Sequence, residues 1–259
     1  MRRYKVLLVP GYFGSLHPSY FADQLQWLDS IGVDHEKVAV HAGHSSTVNA
    51  PIIAAAIRDS KRPVILITHS KGSVDAMEAL RAAPSLRDKV KAWVSLQGAF
   101  LGSPVADMLL DGTLLDPLVT TAILSIIGGS KEAALGLTTQ LSRAYYEKNL
   151  VAINDVLRAV PTLGFASTVD GTARIRTLLE IPREMMWRRG IRSDGLVPTE
   201  AAVLPGMNFV KVSGVDHIAP VMHAMQSHDR VRMTKALLVL TLPVMVQGLP
   251  RNADCRDGG

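Results

Sequence analysis

Cysteine is nearly absent: one residue in 259, Cys255, close to the C-terminal end. An intrachain disulfide is therefore excluded, which fits a reducing compartment. Long hydrophobic runs are lacking too. The most apolar stretches, residues 114–127 (LLDPLVTTAILSII) and 235–246 (KALLVLTLPVMV), each contain a proline. Both fall short of the ~20 residues that a bilayer-spanning helix needs. No transmembrane helix is expected, and contact with a lipid surface through the first stretch stays open. There is no block of like charges and no interleaving of basic with aromatic residues, and the formal net charge is only +5. Nucleic acid is therefore not an expected partner. Internal repeats and low-complexity linkers are missing as well.

The N-terminus, MRRYKVLLVPGYFG, places basic before apolar residues as a signal peptide does. Its apolar run, Val6 to Val9, is too short for an h-region, and Pro10-Gly11 breaks it. It reads as the first strand. A cytoplasmic location is the expectation, with leaderless export as the alternative.

What is present is enough to bury a sizeable core. Hydrophobic residues make up 47% and charged residues 20% of the chain, and its length suits a single domain over 1–259. Short β-branched runs alternate with longer helical patterns. Strands are expected at Tyr4–Val9, Lys37–His41, Pro63–Thr68 and Lys89–Leu96, and helices at about Tyr20–Ser30, Val48–Asp59 and Lys71–Ala83. The nearly continuous apolar runs VLLV, VILIT and KAWVSL suit strands covered on both faces. Alternation at this spacing implies an α/β fold with a mostly parallel sheet flanked by helices. Residues 103–160 break the rhythm with helical or irregular text, read as a helical cap inserted in the sheet domain. Strand text returns at 162–168 and 208–214. A last helix over about Asp229–Gln247 would kink at Pro243, and the polar tail, 251–259, is expected to be disordered.

The stretch Thr68-His69-Ser70-Lys71-Gly72 ends an apolar run and opens a helical segment. A serine in such a strand-to-helix turn is exposed in a strained conformation, and small residues two before and two after it relieve crowding. Gly72 meets that need. Thr68 stands where the first glycine of G-x-S-x-G belongs, and it is small but β-branched. The turn aims the Lys71 N–H, at a helix N-terminus, where it can stabilise an oxyanion. An ordinary βα turn with Ser70 as helix cap is the competing reading. A serine nucleophile needs a base and a group that orients the base. Asp194, in SDGLVP, and His217, in VSGVDHIAP, follow in the chain order Ser, Asp, His, each near the expected end of a late sheet element. The loop 8-LVPGYFGS-15 can supply a second oxyanion N–H, since its glycines let backbone approach a substrate closely.

Together these motifs resemble the α/β hydrolases of the bacterial triacylglycerol lipase type. The resemblance rests on Pro10-Gly11-Tyr12-Phe13-Gly14, Thr68 to Gly72, Gly102-Ser103-Pro104-Val105-Ala106-Asp107, Ser193-Asp194-Gly195-Leu196-Val197 and Asp216-His217, in order over most of the chain. It implies an α/β-hydrolase fold with a cap or lid. It also implies a serine hydrolase of carboxylic esters, with Ser70 as nucleophile, Asp194 as acid, His217 as base and the N–H groups of Tyr12 and Lys71 as oxyanion hole. Gly11, Phe13 and His69 are the expected substrate-binding neighbours; packing against the sheet or bracing the elbow is the other reading of His69. Acyl transfer on the same fold and a non-catalytic binding module are the alternatives. Pro10 replaces the family's histidine and Thr68 its first elbow glycine. Those lipases hold a structural calcium with an aspartate two residues after the histidine. Ala219 occupies that position here, and calcium takes oxygen ligands, so neither metal nor cofactor is expected.

Several residues have blander readings. Asp216 adjoins His217, but neighbours in sequence rarely orient toward each other as a triad requires. His223 and His228 suit surface roles. His41 and His44 lack further ligands at metal-binding spacing. Six arginines between Arg174 and Arg192 read as a solvated basic face, or more sharply as an attractor for anionic substrates.

Overall fold

The computed structural model describes residues 1–12, 14, 17–111, 134–170, 179–223 and 228–242. Phe13, the apolar stretch 114–127, Arg174, Arg176, Pro243 and the tail 251–259 lie outside the described residues.

Among the described residues, six strands form one parallel sheet: β1 (Lys5–Val9), β2 (Asp34–Lys37), β3 (Val64–His69), β4 (Val90–Leu96), β5 (Thr162–Thr168) and β6 (Asn208–Ser213), in the spatial order β2-β1-β3-β4-β5-β6. The helices are α1 (Ala22–Ser30), α2 (Ser46–Asp59), α3 (Lys71–Ala82), α4 (Pro104–Leu110), α5 (Thr139–Lys148), α6 (Leu150–Ala159), α7 (Glu180–Arg188) and α8 (Arg230–Thr241), with a 3-10 turn at Pro84–Lys89. None is long and apolar enough to cross a membrane.

The continuous apolar strand text has a simple cause. Successive side chains of a strand point to opposite faces, and here both faces are covered. Val64 and Leu66 of β3 join Leu7 and Val9 in a core with α2, α3 and α6. Ile65 and Ile67 join Val6 and Leu8 on the other face, against Tyr20, Phe21 and Leu28 at α1 and Leu237 and Leu238 of α8. Every residue of β3 is buried, so truncating Leu66 to Ala would cost roughly 2–5 kcal/mol.

One expected strand moves. The text Lys37–His41 predicts a strand, but the strand is Asp34–Lys37, pairing Lys5↔Asp34 through Leu8↔Lys37. It is an edge strand held by backbone pairing, so its polar residues carry no apolar signal. Val38 and Val40 are buried beyond it, with the Val38 N–H still donating to Leu8 O at 2.9 Å. The described part of the last helix ends at Thr241. Helix α7 was not expected from the arginine-rich text that contains it. Between β4 and β5 the described elements are the helices α4, α5 and α6. Of these, α6 buries Ile153 and Val156 in the core beside α3.

Since all six strands run the same way, their C-terminal ends open onto one edge of the sheet, where ligands of open α/β sheets bind. The loop after β1, the turn after β3 and the loop after β6 all emerge there.

Candidate active site

The turn between β3 and α3 is strained. Ser70 is not glycine, yet it has φ 53° and ψ −128°, a conformation rare for a residue with a Cβ and common at functional sites. Backbone bonds hold it: Ser70 N–H donates to Leu96 O at 3.0 Å, and Ser70 O accepts the N–H groups of Ser73 at 3.0 Å and Ala99 at 3.3 Å. Gly72 is required by a close approach. A Cβ there would lie 2.5 Å from Pro10 O and 2.6 Å from Val9 O. Gly11 is close to the elbow as well, as a Cβ on it would lie 2.9 Å from Ser70 Cβ and 3.1 Å from His69 O. The elbow and the loop after β1 are thus packed backbone against backbone.

Two loops distant in sequence complete the site. His217 Nε2 lies 2.9 Å from Ser70 Oγ, and His217 Nδ1 lies 2.8 Å from Asp194 Oδ2. Asp194 is itself locked: Oδ1 accepts the N–H groups of Leu196 at 2.9 Å and Val197 at 2.8 Å, and its backbone O accepts His217 N–H at 2.9 Å. With a carboxylate facing Nδ1, the ring carries its proton there, leaving Nε2 to accept the Ser70 hydroxyl proton. Asp194 and His217 are buried, and Ser70 is 8% exposed.

Asp216 takes another task. Its Oδ1 accepts the N–H groups of Ile218 at 2.9 Å and Ala219 at 2.8 Å, capping the turn that follows the histidine. His223 pairs with Asp23 at 3.2 Å on the surface. The His41 and His44 rings lie with their centres 5.1 Å apart, tilted by 56°, and among the described residues no group of three or more His, Cys, Asp or Glu could hold a metal. Arg183 is buried against Glu180 and Glu184, Arg188 pairs with Glu184, and Arg192 pairs with Asp170 and lies over the Trp187 ring. None of these three lines the cavity at Ser70.

That cavity is narrow, with room for about 50 Å³ inside its walls. Tyr12, Val105, Leu137, Leu196, Val197 and Ala99 give it apolar walls, and Ser70, His69 and His217 its polar floor. This suits a small apolar group delivered to one polar point. The Gly102–Asp107 motif assembles the wall. Ser103 Oγ donates to Leu196 O at 2.5 Å while accepting Val105 N–H at 3.1 Å, tying α4 to the loop that carries Asp194. Asp107 accepts Thr139 N–H at 2.8 Å and the Thr139 hydroxyl, pinning the start of α5. Burial raises the Asp107 pKa. Gly102, at φ 79°, lets Thr138 O approach where a Cβ would sit 2.6 Å away.

Lys71 opens α3, so its N–H has no acceptor within the helix and sits beside the elbow, as does the Tyr12 backbone of the neighbouring loop. The Lys71 ammonium is buried. It donates to both carboxylate oxygens of Asp75 at 2.8 Å and lies 5.9 Å from the centre of the Tyr12 ring.

No protein-family model matches the chain, and no curated protein sequence does. Solved structures do. The mature form of Bacillus licheniformis lipase BlEst2 superposes with a TM-score of 0.72 at 19% identity, over 92% of this chain and 91% of that one. The metagenomic carboxyl esterase MGS0156 gives 0.68 at 22% identity, over 93% and 72%. Lipase 1 from Pelosinus fermentans gives 0.52 at 14%, over 95% and 100%.

The fold is that of the α/β hydrolases.

The expected resemblance to bacterial lipases and esterases thus holds at the level of architecture. Within this α/β-hydrolase fold, Ser70, His217 and Asp194 come together as the order of the motifs predicts, with Gly11, Tyr12, His69 and Lys71 around them. Three contributors had no motif to mark them. Tyr20, read only as the start of a helix, lines the cavity and accepts the Gly11 N–H at 3.0 Å. Gln97, at φ 47° and fully buried, sits under the elbow. Ser73 lies one turn into α3, beneath Thr68. The one signal for Gln97 was position, at the end of β4 just before Gly98.

Proposed function

We propose that this chain is a serine hydrolase that cleaves carboxylic esters with an apolar acyl group. The observation that carries the reading is the 2.9 Å approach of His217 Nε2 to Ser70 Oγ, with Asp194 2.8 Å behind the ring. The strained Ser70 backbone and the apolar cavity support it, as does a fold shared with proteins named as lipases and a carboxyl esterase.

His217 Nε2 takes the Ser70 proton as Oγ forms a bond to the ester carbonyl carbon. The N–H groups of Tyr12 and Lys71 receive the oxyanion. The C–O bond to the alcohol breaks, and His217 returns the proton to that leaving oxygen. A water then repeats the sequence on the acyl-enzyme and releases the acid. Asp194 holds the neutral imidazole in the Nδ1–H tautomer and stabilises the imidazolium that forms when Nε2 takes the proton. The segment 103–160 is read as the cap: among its described residues Val105 and Leu137 line the cavity where the acyl group would lie, and α6 packs on the core.

Steady-state hydrolysis of p-nitrophenyl esters of increasing chain length tests this. Turnover is expected for the wild type, with a loss of roughly 10³–10⁴-fold in Asp194→Asn from the wrong imidazole tautomer. Absence of wild-type turnover at every chain length, or full activity in Asp194→Asn, would overturn the reading.

A further inference from the structure

Beneath the Ser70–His217 contact runs a chain of hydrogen bonds whose direction is set by its ends. His69 Nε2 lies 2.8 Å from His217 O and 3.3 Å from Gln97 Oε1. Both are acceptors, so Nε2 carries the proton. In the neutral ring Nδ1 is then an acceptor, and the Tyr20 hydroxyl, 2.5 Å away, donates to it. The Tyr20 oxygen in turn accepts the Gly11 N–H at 3.0 Å. Gln97, with Oε1 turned to His69, donates through Nε2 to Asp216 O at 3.0 Å and to Ser167 Oγ at 2.5 Å. Each donor meets an acceptor only in this arrangement. A protonated His69 would donate at both nitrogens and leave the Tyr20 proton without its acceptor. Burial, and then the nearby His217, push the His69 pKa well below its ordinary value, and burial pushes that of Tyr20 upward.

The ends of this chain are backbone groups of two loops. Gly11 adjoins Tyr12 after β1, and Asp216 and His217 follow β6. Three strands, β3, β4 and β5, separate β1 from β6 in the sheet, so strand pairing does not couple the two loops directly. The side chains that bridge them are 1%, 2% and 0% exposed at Tyr20, His69 and Gln97. Gln97 carries a left-handed backbone besides, and such strain persists only where its surroundings enforce it.

We propose that Tyr20, His69 and Gln97 are positioning residues, a buried brace that sets the distance between the oxyanion loop at Gly11-Tyr12 and the base at His217. The proposal rests on reading Ser70 and His217 as nucleophile and base. None of the three transfers a proton to substrate. They hold the groups that do, in a reaction where a displacement of about 1 Å can cost about 100-fold.

Tyr20→Phe tests it, since it keeps the ring and its edge contacts with Phe21 and His69 and removes one hydroxyl. Active sites are first titrated with a fluorophosphonate, so that rates refer to folded protein alone. The expected result is a fall of about 10–100-fold in kcat per titrated site with KM within twofold, the mark of an interaction used in the transition state. His69→Gln, which keeps a donor for His217 O, should retain more kcat than His69→Leu. Unchanged kcat per site in Tyr20→Phe, or equal losses in the two His69 variants, would overturn the brace. The ¹⁵N spectrum of wild-type protein offers a reading that needs no variant. His69 should appear with Nε2 protonated and Nδ1 bare, and the opposite tautomer would overturn the proposal. Wild-type protein without turnover would contradict the proposed reaction rather than the brace, which the tautomer still decides.

Discussion

The indole N–H of Trp93 donates to Thr68 Oγ1 at 2.9 Å, and the same hydroxyl lies 2.7 Å from Ser73 Oγ. Ser95 Oγ donates to Ser73 Oγ at 2.9 Å, which closes a buried polar cluster directly under the elbow. The residue that departs from the G-x-S-x-G pattern is thus the acceptor for a fully buried tryptophan. Thr68→Val keeps the shape of the side chain and removes that acceptor. It should lose about 1–3 kcal/mol in urea unfolding, the cost of an unpartnered buried donor, whereas Thr68→Ser should lose less. A Thr68→Val protein as stable as wild type would contradict this role.

Gly72 faces the backbone oxygens of Val9 and Pro10. Gly72→Ala must push the oxyanion loop away from the elbow, because the overlap is with backbone and no flexible side chain can yield. The expectation is at least a tenfold loss of kcat against p-nitrophenyl butyrate, consistent with displaced oxyanion donors, in protein that remains folded by circular dichroism. Unimpaired kcat would show that the loop has room to spare.

The Lys71–Asp75 pair is 4% and 2% exposed, and Asp75 also accepts Asn49 Nδ2 at 2.8 Å. Removing one partner of such a pair leaves a buried charge. Asp75→Ala should destabilise by about 3–5 kcal/mol, and the double variant with Lys71→Met by distinctly less than the sum of the singles. Additive losses in denaturant melts would mean that the two charges do not depend on each other.

Acid should weaken the fold through His69. The folded protein keeps this ring neutral well below the ordinary pKa of 6.5, because of burial and the neighbouring His217. The unfolded chain takes up a proton near that pH. Below 6.5 the unfolded state therefore binds more protons, and stability falls by up to about 1.4 kcal/mol per pH unit from this one group. Glu78 adds to this acid sensitivity at lower pH: burial raises its pKa, but hydrogen bonds from Arg81 and Tyr145 and the Arg81 charge together hold it down, so the stability it contributes is lost only below about 4.5. The stability advantage of wild type over His69→Gln should shrink as pH falls from 7.5 to 5. A constant difference would contradict the neutral, buried His69.

Much of this architecture is legible in the amino-acid sequence where side chains carry the signal. Strands buried on both faces, such as Val64–His69, read as continuous apolar text, and Ser70, Asp194 and His217, the proposed nucleophile, acid and base, carry motifs in a fixed order. Where backbone does the work, the text is silent. The edge strand Asp34–Lys37 has no apolar residue, and its pairing with β1 uses main-chain groups. Helix α7 did leave a trace that composition obscured: Glu180 with Arg183 and Glu184 with Arg188 stand at helical spacings of three and four. Tyr20 left none and Gln97 only its position before Gly98, because each acts through polar atoms brought to the site from an element whose pattern speaks only of packing.

Fluorophosphonate labelling read by intact mass tests the central claim most directly. The reagent phosphonylates a serine only when a base and an oxyanion hole activate it. Wild-type protein should gain one adduct, mapped to Ser70, and lose its esterase activity in step with labelling, while Ser70→Ala should gain none. A wild-type protein that stays unlabelled, or a Ser70→Ala protein that still labels and turns over ester, would contradict Ser70 as the nucleophile.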